Sequence, residues 1–362
     1  MAFLFDKENK FKKILITGGA GFIGGALVRK LLNETSSKIF NIDKLSYSSD
    51  LSFLNEIPQE HKERHHLIKL DLCDSFSTDK AISDANPDLI FHLAAESHVD
   101  RSIDSPEDFI KTNIFGTYNL LQAVLNHYKN LNHQRKKFFK LIHISTDEVF
   151  GSLGKEKHFD ETTPYDPNSP YSASKAGSDH LAKAWGNTYG LPIVVTNCSN
   201  NFGPWQFPEK LIPLTIFNCL NNKNIPIYGN GENIRDWIYV EDHINALLLA
   251  SEKGVNGRNY CIGGNSEKSN LELVENICEI LDKLVPRNTS YKNLIEFVED
   301  RPGHDFRYSI NSSRIKSELG WEINHSFKDS LEFTINWYIH NQTWCKEILL
   351  KSGYRGDRIG LI

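Results

Sequence analysis

Short apolar runs alternate with amphipathic stretches along the first half of the chain, and each run is predicted to be a strand. The predicted strands cover residues 13–17, 38–42, 66–70, 89–93, 138–144 and 192–197. Helical patterns separate them, as in residues 22–32 after the first run. Because such alternation is typical of βα units, it predicts a Rossmann-type, doubly wound α/β fold with a parallel sheet buried on both faces.

The carboxyl ends of the predicted strands mark candidate binding positions. Parallel α/β sheets bind their ligands at this edge, where the strand order reverses. The residues at these ends are Gly18, Asp43, Asp71, Ala94, Thr146 and Asn200.

The pattern changes after about residue 200, where segments become shorter and richer in Pro, Asn and Gly. Two helical stretches follow, at 241–252 and 271–284. We expect a first domain with the reacting groups at 1–200. A smaller mixed α/β lobe, mainly for substrate, should cover 201–342 and return some segments to the main sheet. The basic stretch 126–137 is predicted to be an exposed loop, and no element is predicted for the tail, 343–362.

Composition disfavours several classes of function. The 362 residues carry a net charge of −5, so no general positive field attracts nucleic acid or an anionic membrane. No apolar run approaches the roughly 20 residues of a membrane span, and residues 1–13 lack a secretory signal pattern. The six scattered cysteines contain no C-x-x-C pair. We therefore expect reduced thiols, no metal site and a cytoplasmic protein.

A glycine-rich segment, Thr-Gly-Gly-Ala-Gly-Phe-Ile-Gly (17–24), follows the first predicted strand and opens a helix. Gly18, Gly21 and Gly24 allow a tight turn, close approach to a pyrophosphate and a helix N-terminus that faces it. Asp43 ends the second strand, where a carboxylate binds ribose hydroxyls. The segment predicts a dinucleotide site. Asp43 favours NAD over NADP because it would repel a 2′-phosphate, although the neighbouring Lys44 weakens that argument.

Other strand ends fit the same cofactor, some with a structural alternative. Asp71 and Leu72 could hold the adenine, or Asp71 could cap a helix. Ala94 and Ala95 are small enough to let a cofactor lie close. Thr112 could contact the nicotinamide half, or its hydroxyl could bond within a helix.

Tyr171 and Lys175 stand four residues apart on a predicted helix, which places them on one face. A lysine cation near a phenol lowers the phenol's pKa, so Tyr171 could accept a proton from a sugar alcohol while hydride leaves. Two ordinary surface residues of a helix are the alternative. The glycine-rich segment and Thr146 favour the catalytic interpretation.

A hydroxyl and two carboxylates, those of Thr146, Asp147 and Glu148, follow the fifth predicted strand. Neighbouring carboxylates in a partly dry site repel each other, which can raise one pKa and leave the other group ionised. Oxidation alone needs only Tyr171 and Thr146. Elimination of water also needs a base for a C–H proton and an acid for the departing hydroxyl. The pair favours a dehydration over the alternative, a solvated Asp-Glu turn.

Taken together, the motifs resemble those of the dTDP-glucose 4,6-dehydratases, a nucleotide-sugar family of the extended short-chain dehydrogenase/reductases. The resemblance extends from Lys12 to Asn341. Besides the glycine-rich segment, it is carried by Leu-Ala-Ala-Glu-Ser-His-Val-Asp-Arg-Ser (93–102), Ser-Thr-Asp-Glu (145–148), Tyr-Ser-Ala-Ser-Lys (171–175), Asn-Cys-Ser-Asn-Asn (197–201), Pro-Ile-Tyr-Gly-Asn-Gly (226–231), Arg-Asp-Trp-Ile-Tyr-Val-Glu-Asp (235–242) and Arg-Pro-Gly-His-Asp (301–305).

The resemblance implies a reaction in three steps. Tyr171 would deprotonate the glucose 4-hydroxyl while hydride passes from C4 to NAD⁺. Glu148 would remove the C5 proton, and Asp147 would protonate the 6-hydroxyl that leaves as water. Hydride would then return to C6, giving a 4-keto-6-deoxy sugar, so NAD should stay tightly bound. Thr146 and Tyr171 would hold the 4-keto oxygen.

The resemblance also implies the binding residues. Those for the cofactor are Gly18, Gly21, Phe22, Ile23, Gly24, Asp43, Lys44, Leu45, Ser46, Asp71, Leu72, Leu93, Ala94, Ala95, Glu96, Ser97, Thr112, Tyr171, Lys175 and Asn201. Those for the substrate are Ser97, Thr146, Asn200, Glu209, Lys210, Pro226, Ile227, Tyr228, Arg235, Asn270, Asp300, Arg301, Pro302, Gly303 and His304. Arg235 and Arg301 are forked donors suited to a diphosphate, whereas Asn200 and Asn201 could equally be turn residues.

A homodimer is implied as well, with helices near 112–125 and 171–189 forming a four-helix interface. Phe150 and Phe202 depart from the family, which has tyrosines there; both keep the ring, so aromatic packing should survive.

Three other functions remain open. A 4,6-dehydratase of a UDP or GDP sugar would use the same chemistry, and Glu209 and Lys210 favour thymidine only by resemblance. A 4-epimerase needs no elimination base, so Asp147 and Glu148 argue against it. A non-catalytic NAD-binding sensor or scaffold would be expected to have lost catalytic side chains, all of which are present.

Overall fold

The computed structural model describes residues 10–354. Its strands are β1 (Lys13–Thr17), β2 (Lys38–Asp43), β3 (His65–Lys69), β4 (Leu89–His92), β5 (Lys140–Thr146), β6 (Ile193–Cys198), β7 (Asn200–Phe202), β8 (Ile225–Tyr228), β9 (Ile234–Tyr239), β10 (Asn259–Ile262), β11 (Glu267–Ser269) and β12 (Ile295–Val298). The first six coincide, within two residues at each end, with the strands that the apolar runs predict.

Helices occupy most of the segments between these strands. They are α1 (Phe22–Glu34), α2 (Gln59–Lys62), α3 (Ser75–Ala85), α4 (Val99–Asp104), α5 (Pro106–Phe109), α6 (Thr117–Asn130), α7 (His133–Lys136), α8 (Pro170–Tyr189), α9 (Leu211–Leu220), α10 (Val240–Lys253), α11 (Asn270–Leu284), α12 (Ser313–Leu319), α13 (Phe327–His340) and α14 (Gln342–Ser352). Short 3-10 helices cover Ser52–Glu56, Asp147–Phe150 and Tyr291–Leu294, and a π-helix covers Ile110–Gly116.

The central sheet has seven parallel strands in the order β10-β6-β5-β4-β1-β2-β3. Its order reverses between β1 and β4, which is the switch point of a Rossmann-type sheet. The predicted doubly wound α/β class is therefore confirmed. The seventh strand, β10, comes from beyond residue 200 and pairs with β6.

Helices cover both faces of this sheet because its strands are apolar on both sides. β4 and β6 are buried along their whole length. On one face the core includes Leu27 of α1 and Leu247 of α10, and on the other it includes Leu120 of α6 and Ala182 of α8. Each of these leucines contributes about 1.5–3 kcal/mol on burial, so the sheet and its flanking helices form a rigid frame for the strand ends.

A second core lies in the C-terminal lobe, where β7, β9 and β11 form a small sheet and β8 pairs with β12. Its buried residues include Ile216 of α9 and Leu273 of α11. Phe202 is buried there against Tyr239, with ring centroids 5.7 Å apart. The aromatic packing expected at this departure from the family is retained. Since β7 follows β6 directly, the lobe begins at the carboxyl edge of the main sheet.

The stretch 126–137 is not the exposed loop that its polar composition predicts. α6 continues to Asn130, and a single helical turn, α7, follows. Asn132 caps α7 by accepting a hydrogen bond from the backbone of Arg135. The Arg135 side chain in turn donates to the carboxylate of Asp88 at 2.8 Å. The polar residues are therefore used for capping and ion pairing.

The start of the tail is also helical. In α14, Trp344 and Ile348 are buried against the core of the lobe. The indole Nε1 of Trp344 donates to Asp50 Oδ2 at 2.9 Å, across 294 residues of sequence. No local pattern predicts this contact, because the partner surface is assembled only on folding. Residues 1–9 and 355–362, which include most of the segment without a secretory signal and the end of the tail, lie outside the described residues.

Within residues 10–354, no helix is both long enough and apolar enough to cross a membrane. All six cysteines fall in this range and are free thiols; Cys73 is exposed and the others are buried.

Candidate active site

The glycine-rich turn lies between β1 and α1, against the end of β4. Gly18 adopts a φ of +75°, and a Cβ there would lie 2.7 Å from the backbone nitrogen of Ala94. A Cβ on Gly24 would overlap the carbonyl oxygen of Gly18. Both positions therefore require glycine, and the close packing brings the N-terminus of α1 to the switch point. Free backbone N–H groups at such an N-terminus suit a pyrophosphate.

Asp43, at the end of β2, is held beside this turn. Its Oδ2 accepts a hydrogen bond from the backbone of Ala20 at 3.0 Å, and its Oδ1 accepts from the backbone of Leu45 at 2.8 Å and from Ser49 at 3.0 Å. Three donors fix the carboxylate where a ribose would lie. This arrangement fits a dinucleotide with free ribose hydroxyls, as the sequence predicts.

Lys44 does not offset Asp43, because its ammonium has other partners. Its Nζ lies 2.6 Å from the carboxylate of Glu96 and donates to the hydroxyl of Thr112 at 3.2 Å. Thr112 stands in the π-helix, and helices of this kind often occur at functional sites.

An open cleft runs along the switch point and encloses about 1580 Å³ of empty space, including its mouth. All the residues implied for the cofactor line it except Leu45 and Glu96, which bond to the lining residues Asp43 and Lys44. Asp71 lines the cleft and does not cap α3, whose N-cap is Asp74. Lining residues that sequence reasoning did not assign are Ile42, Ser48, Ser49, Leu70, Ile144, Ser145, Cys198, Ser199, Gln206 and Phe207. Ser145, Cys198 and Ser199 belong to motifs of the family resemblance, but no role was assigned to them.

Tyr171 and Lys175 lie in the first two turns of α8, and both are buried and line the cleft. Ser169 caps the helix by accepting a hydrogen bond from the backbone of Ser172. The Nζ of Lys175 donates to the carbonyl oxygen of Ile144 in β5 at 2.9 Å. The helix is thereby tied to the strand that ends at Thr146.

The expected lowering of the Tyr171 pKa by Lys175 is wrong for this structure. Burial raises the pKa of Tyr171 well above its usual value, and the charge of Glu148 raises it further. A hydrogen bond with Thr146 opposes this shift. The reason is that Lys175 bonds to a strand carbonyl, while the acidic pair lies near the phenol. Tyr171 is therefore held as the neutral phenol.

Asp147 and Glu148 begin the 3-10 helix after β5, where Thr146 accepts a hydrogen bond from the backbone of Glu148 at 3.3 Å. Burial, and then the charge of Glu148, raise the pKa of Asp147 well above its usual value. Oδ2 of Asp147 is buried and has no hydrogen-bond partner in the part of the chain that the structure describes.

Glu148 experiences a different electrostatic environment. Burial raises its pKa, but the charges of Arg301, Arg235 and Lys210 oppose that shift. The pKa of each carboxyl is raised overall. Arg235 opposes the rise at both groups, and Arg301 and Lys210 also oppose it at Glu148. The division into one acid and one base stays a prediction.

Five of the residues implied for the substrate line the same cleft: Ser97, Thr146, Asn200, Glu209 and Lys210. The Nζ of Lys210 donates to the carbonyl oxygen of Ser97 at 2.9 Å. Glu209 is buried and accepts hydrogen bonds from Tyr47 at 2.8 Å and Arg101 at 3.1 Å. Its carboxylate therefore joins three segments of the site, a role that the sequence did not indicate.

The other residues implied for the substrate do not line this cleft. They are Pro226, Ile227 and Tyr228 in β8, Arg235 in β9, Asn270 at the start of α11, and Asp300, Arg301, Pro302, Gly303 and His304 after β12. Arg235 donates to the carbonyl oxygen of Asp305 at 3.0 Å, and its guanidinium lies 4.2 Å from the ring centre of Tyr308. Of these residues, Arg235 and Arg301 still influence the cleft, because their positive charges oppose the rise in the pKa of Glu148, which lines it.

Across residues 10–354, no three His, Cys, Asp or Glu side chains are grouped so that they could hold a metal ion.

Known proteins are similar to this chain in sequence and in fold. Residues 15–334 match a family model described as GDP-mannose 4,6 dehydratase. A dTDP-glucose 4,6-dehydratase of Escherichia coli is 50% identical over 363 residues, covering 97% of this chain and 99% of that protein. The dTDP-glucose 4,6-dehydratase DesIV of Streptomyces venezuelae, solved with NAD and dTDP bound, superimposes with a TM-score of 0.83. It is 38% identical, over 92% of this chain and 99% of its own. A second solved structure, of the dTDP-glucose 4,6-dehydratase of Bacillus anthracis in complex with NAD, gives a TM-score of 0.80 at 42% identity, covering 92% of this chain and 99% of that chain.

The fold and the cleft define a dinucleotide-binding enzyme of the short-chain dehydrogenase/reductase class. Near 50% identity over almost the whole length narrows this class, and the chain belongs to the dTDP-glucose 4,6-dehydratase family.

Replacing Gly24 with alanine tests the glycine turn. The methyl group of Gly24→Ala would overlap the Gly18 carbonyl and push α1 away from the turn. We expect affinity for NAD, the predicted cofactor, to fall roughly tenfold or more. NAD extracted from the purified protein measures this. Gly154→Ala is the control, since nothing lies within 4 Å of its Cβ. Wild-type NAD content in Gly24→Ala would contradict the assignment.

Proposed function

We propose that this protein converts dTDP-glucose to dTDP-4-keto-6-deoxyglucose and water, as an NAD-dependent hydro-lyase. The observation that carries the proposal is the pair of buried carboxyls, Asp147 and Glu148, whose environments differ, beside Tyr171. An acid and a base at one strand end are what an elimination of water requires. The family relatives, which are named for this reaction, support the same conclusion.

In the first step, Tyr171 accepts the proton of the glucose 4-hydroxyl as hydride leaves C4. Burial favours the neutral phenol, which cannot accept a proton, so Tyr171 must first lose its own proton to solvent and act as the phenolate that nearby positive charge stabilises. Lys175, one turn along α8, provides one cation. When bound, NAD⁺ supplies a positively charged nicotinamide ring, the acceptor for the C4 hydride and, in its reduced form, the donor to C6.

In the second step, Glu148 removes the C5 proton, which the new 4-keto group has made acidic. The cations Arg301 and Arg235 favour the ionised carboxylate that this step needs. Asp147, whose raised pKa favours its protonated form, protonates the 6-hydroxyl, and the C6–O bond breaks to release water. Hydride return to C6 and a proton to C5 complete the product, and no net oxidation occurs.

The residues implied for binding divide between the two parts of the chain. We propose that residues 1–200 hold the cofactor and that residues 201–342 mainly hold the nucleotide sugar. The contacts of Asp43 support the first assignment. The action of Arg235, Arg301 and Lys210 on Glu148 supports the second, because a dianionic diphosphate needs local cations in an acidic protein.

A homodimer through the π-helix with α6 and through α8 is part of the proposal. Large apolar side chains are exposed on these elements: Phe115 (57%) and Tyr118 (42%) on the first pair, and Tyr189 (50%) on α8. A cytoplasmic location is proposed as well, since six free thiols suit a reducing compartment; cell fractionation tests it.

A panel of nucleotide sugars tests the reaction and the substrate together. We expect dTDP-glucose to yield a 4-keto-6-deoxy product without net NADH, and UDP-glucose and GDP-mannose to react much more slowly. Mass spectrometry detects the loss of water, and absorbance at the NADH band detects any reduced cofactor. Accumulation of NADH would instead indicate a simple dehydrogenase. Faster turnover of UDP-glucose or GDP-mannose would show that dTDP-glucose is not the preferred substrate.

Glu148→Gln tests the role of the base. The variant should lose nearly all product formation, a factor of roughly 10² or more, because the C5 proton has no acceptor. It should retain bound NAD. Incorporation of deuterium from D₂O at C5 should be lost with it. Turnover near that of the wild type would show that another group removes the proton.

Phe115→Glu tests the proposed dimer. A buried charge at the interface should convert the protein to monomers in sedimentation velocity. Phe333→Glu is the matched control, because Phe333 is also 57% exposed and lies on α13 of the lobe. If Phe115→Glu remained dimeric while retaining its fold, the four-helix interface would be wrong.

A further inference from the structure

We propose that Asp100 is a positioning residue for the diphosphate of the nucleotide sugar, because it holds the Arg301 guanidinium and the Tyr228 hydroxyl in place. This inference rests on the proposed function. Asp100 belongs to the 93–102 motif, but the sequence alone indicated no chemical role for it.

One buried carboxylate joins two distant segments of the lobe. Asp100 stands in α4 and is 6% exposed. Its Oδ1 accepts a hydrogen bond from Arg301 Nη1 at 2.6 Å, and its Oδ2 accepts from the Tyr228 hydroxyl at 2.9 Å. These partners are 201 and 128 residues away in sequence. Both oxygens are thus used to orient side chains that the family resemblance places at the substrate.

The segment that carries Asp100 is itself anchored at the site. The carbonyl oxygen of Ser97 accepts from Lys210 at 2.9 Å. Arg101 donates to Glu209 at 3.1 Å, and its guanidinium lies 3.8 Å from the ring centre of Tyr47. Because its neighbours on both sides are fixed, Asp100 has little freedom to follow a displaced Arg301. A fixed carboxylate can therefore determine where the guanidinium lies.

The contact with Asp100 leaves Arg301 able to bind an oxyanion. A guanidinium carries five N–H donors in a rigid fork, and Asp100 engages it through Nη1. The Nε of Arg301 is buried and has no hydrogen-bond partner among residues 10–354. A buried donor without a partner is costly, and a phosphate oxygen would satisfy it. The buried, unpartnered Nε therefore points to a ligand at Arg301.

Asp100 also reduces repulsion between two cations. Arg301 and Lys210 act on each other as like charges, and the carboxylate of Asp100 stabilises both. Removing its charge would leave two buried cations less well balanced and Arg301 less well placed. The expected defect is in binding of phosphate-bearing ligands. Binding of thymidine alone, which has no phosphate, should change little.

The test compares wild-type holoenzyme with Asp100→Asn, which keeps the size of the side chain and removes its charge. For Asp100→Asn, we expect the Kd for dTDP to rise roughly tenfold, since a charge-assisted contact to Arg301 is weakened, and the Kd for thymidine to stay within about twofold. KM for dTDP-glucose should rise more than kcat falls. Bound NAD should equal that of the wild type. Asp108→Asn, an exposed carboxylate on α5, is the control.

A double-mutant cycle assigns the effect to Arg301. In an Arg301→Gln background, Asp100→Asn should weaken dTDP binding much less than in the wild type, because only the Tyr228 contact is left to lose. Asp100→Glu should recover part of the affinity. Equal losses of dTDP and thymidine affinity, wild-type dTDP affinity in Asp100→Asn, or a full effect in the Arg301→Gln background would each overturn the proposal.

The outcome also separates this proposal from the proposed function. A wild-type protein that turns over dTDP-glucose, with an Asp100→Asn variant that binds dTDP normally, would overturn only the role of Asp100. A wild-type protein that does not bind dTDP would overturn the proposed function, and this inference with it.

Discussion

The contact between the glycine turn and the end of β4 is the constraint on which the site depends. Gly18 lies so close to Ala94 that no side chain fits between them, and Gly24 packs in the same way on the turn itself. This close packing fixes the start of α1 at the switch point of the sheet. The remaining strand ends then converge on one cleft, because all seven strands of the main sheet run parallel.

The chemistry depends on how the lobe acts on that edge. Asp147 and Glu148 are adjacent in sequence and both are buried, so sequence position alone cannot distinguish them. Arg235, Arg301 and Lys210 come from the lobe and oppose the effect of burial on Glu148. In our proposal, this difference allows the neighbouring carboxyls to serve as acid and base at one pH. In our proposal, the lobe binds substrate, and its cations also lower the pKa of Glu148, the proposed base.

Local patterns predicted much of the fold and of the site. The six apolar runs, the glycine turn and the i, i+4 spacing of Tyr171 and Lys175 are local features, and the structure contains each of them. The segments that were predicted incorrectly or not at all share a different property. α14 is stabilised by burial of Trp344, and Arg135 of α7 bonds to Asp88, so both depend on surfaces formed by residues far away in sequence.

The sequence by itself determined the strand pattern, the glycine turn and the candidate reacting side chains, because periodicity and spacing are properties of neighbouring residues. Only the tertiary structure decided the raised pKa of Tyr171, the different charged neighbours of Asp147 and Glu148, and the hydrogen bond between Asp100 and Arg301. Those properties arise from burial and from contacts between residues that lie far apart in sequence. Such contacts leave no local pattern, since they exist only when the two parts of the chain have folded together.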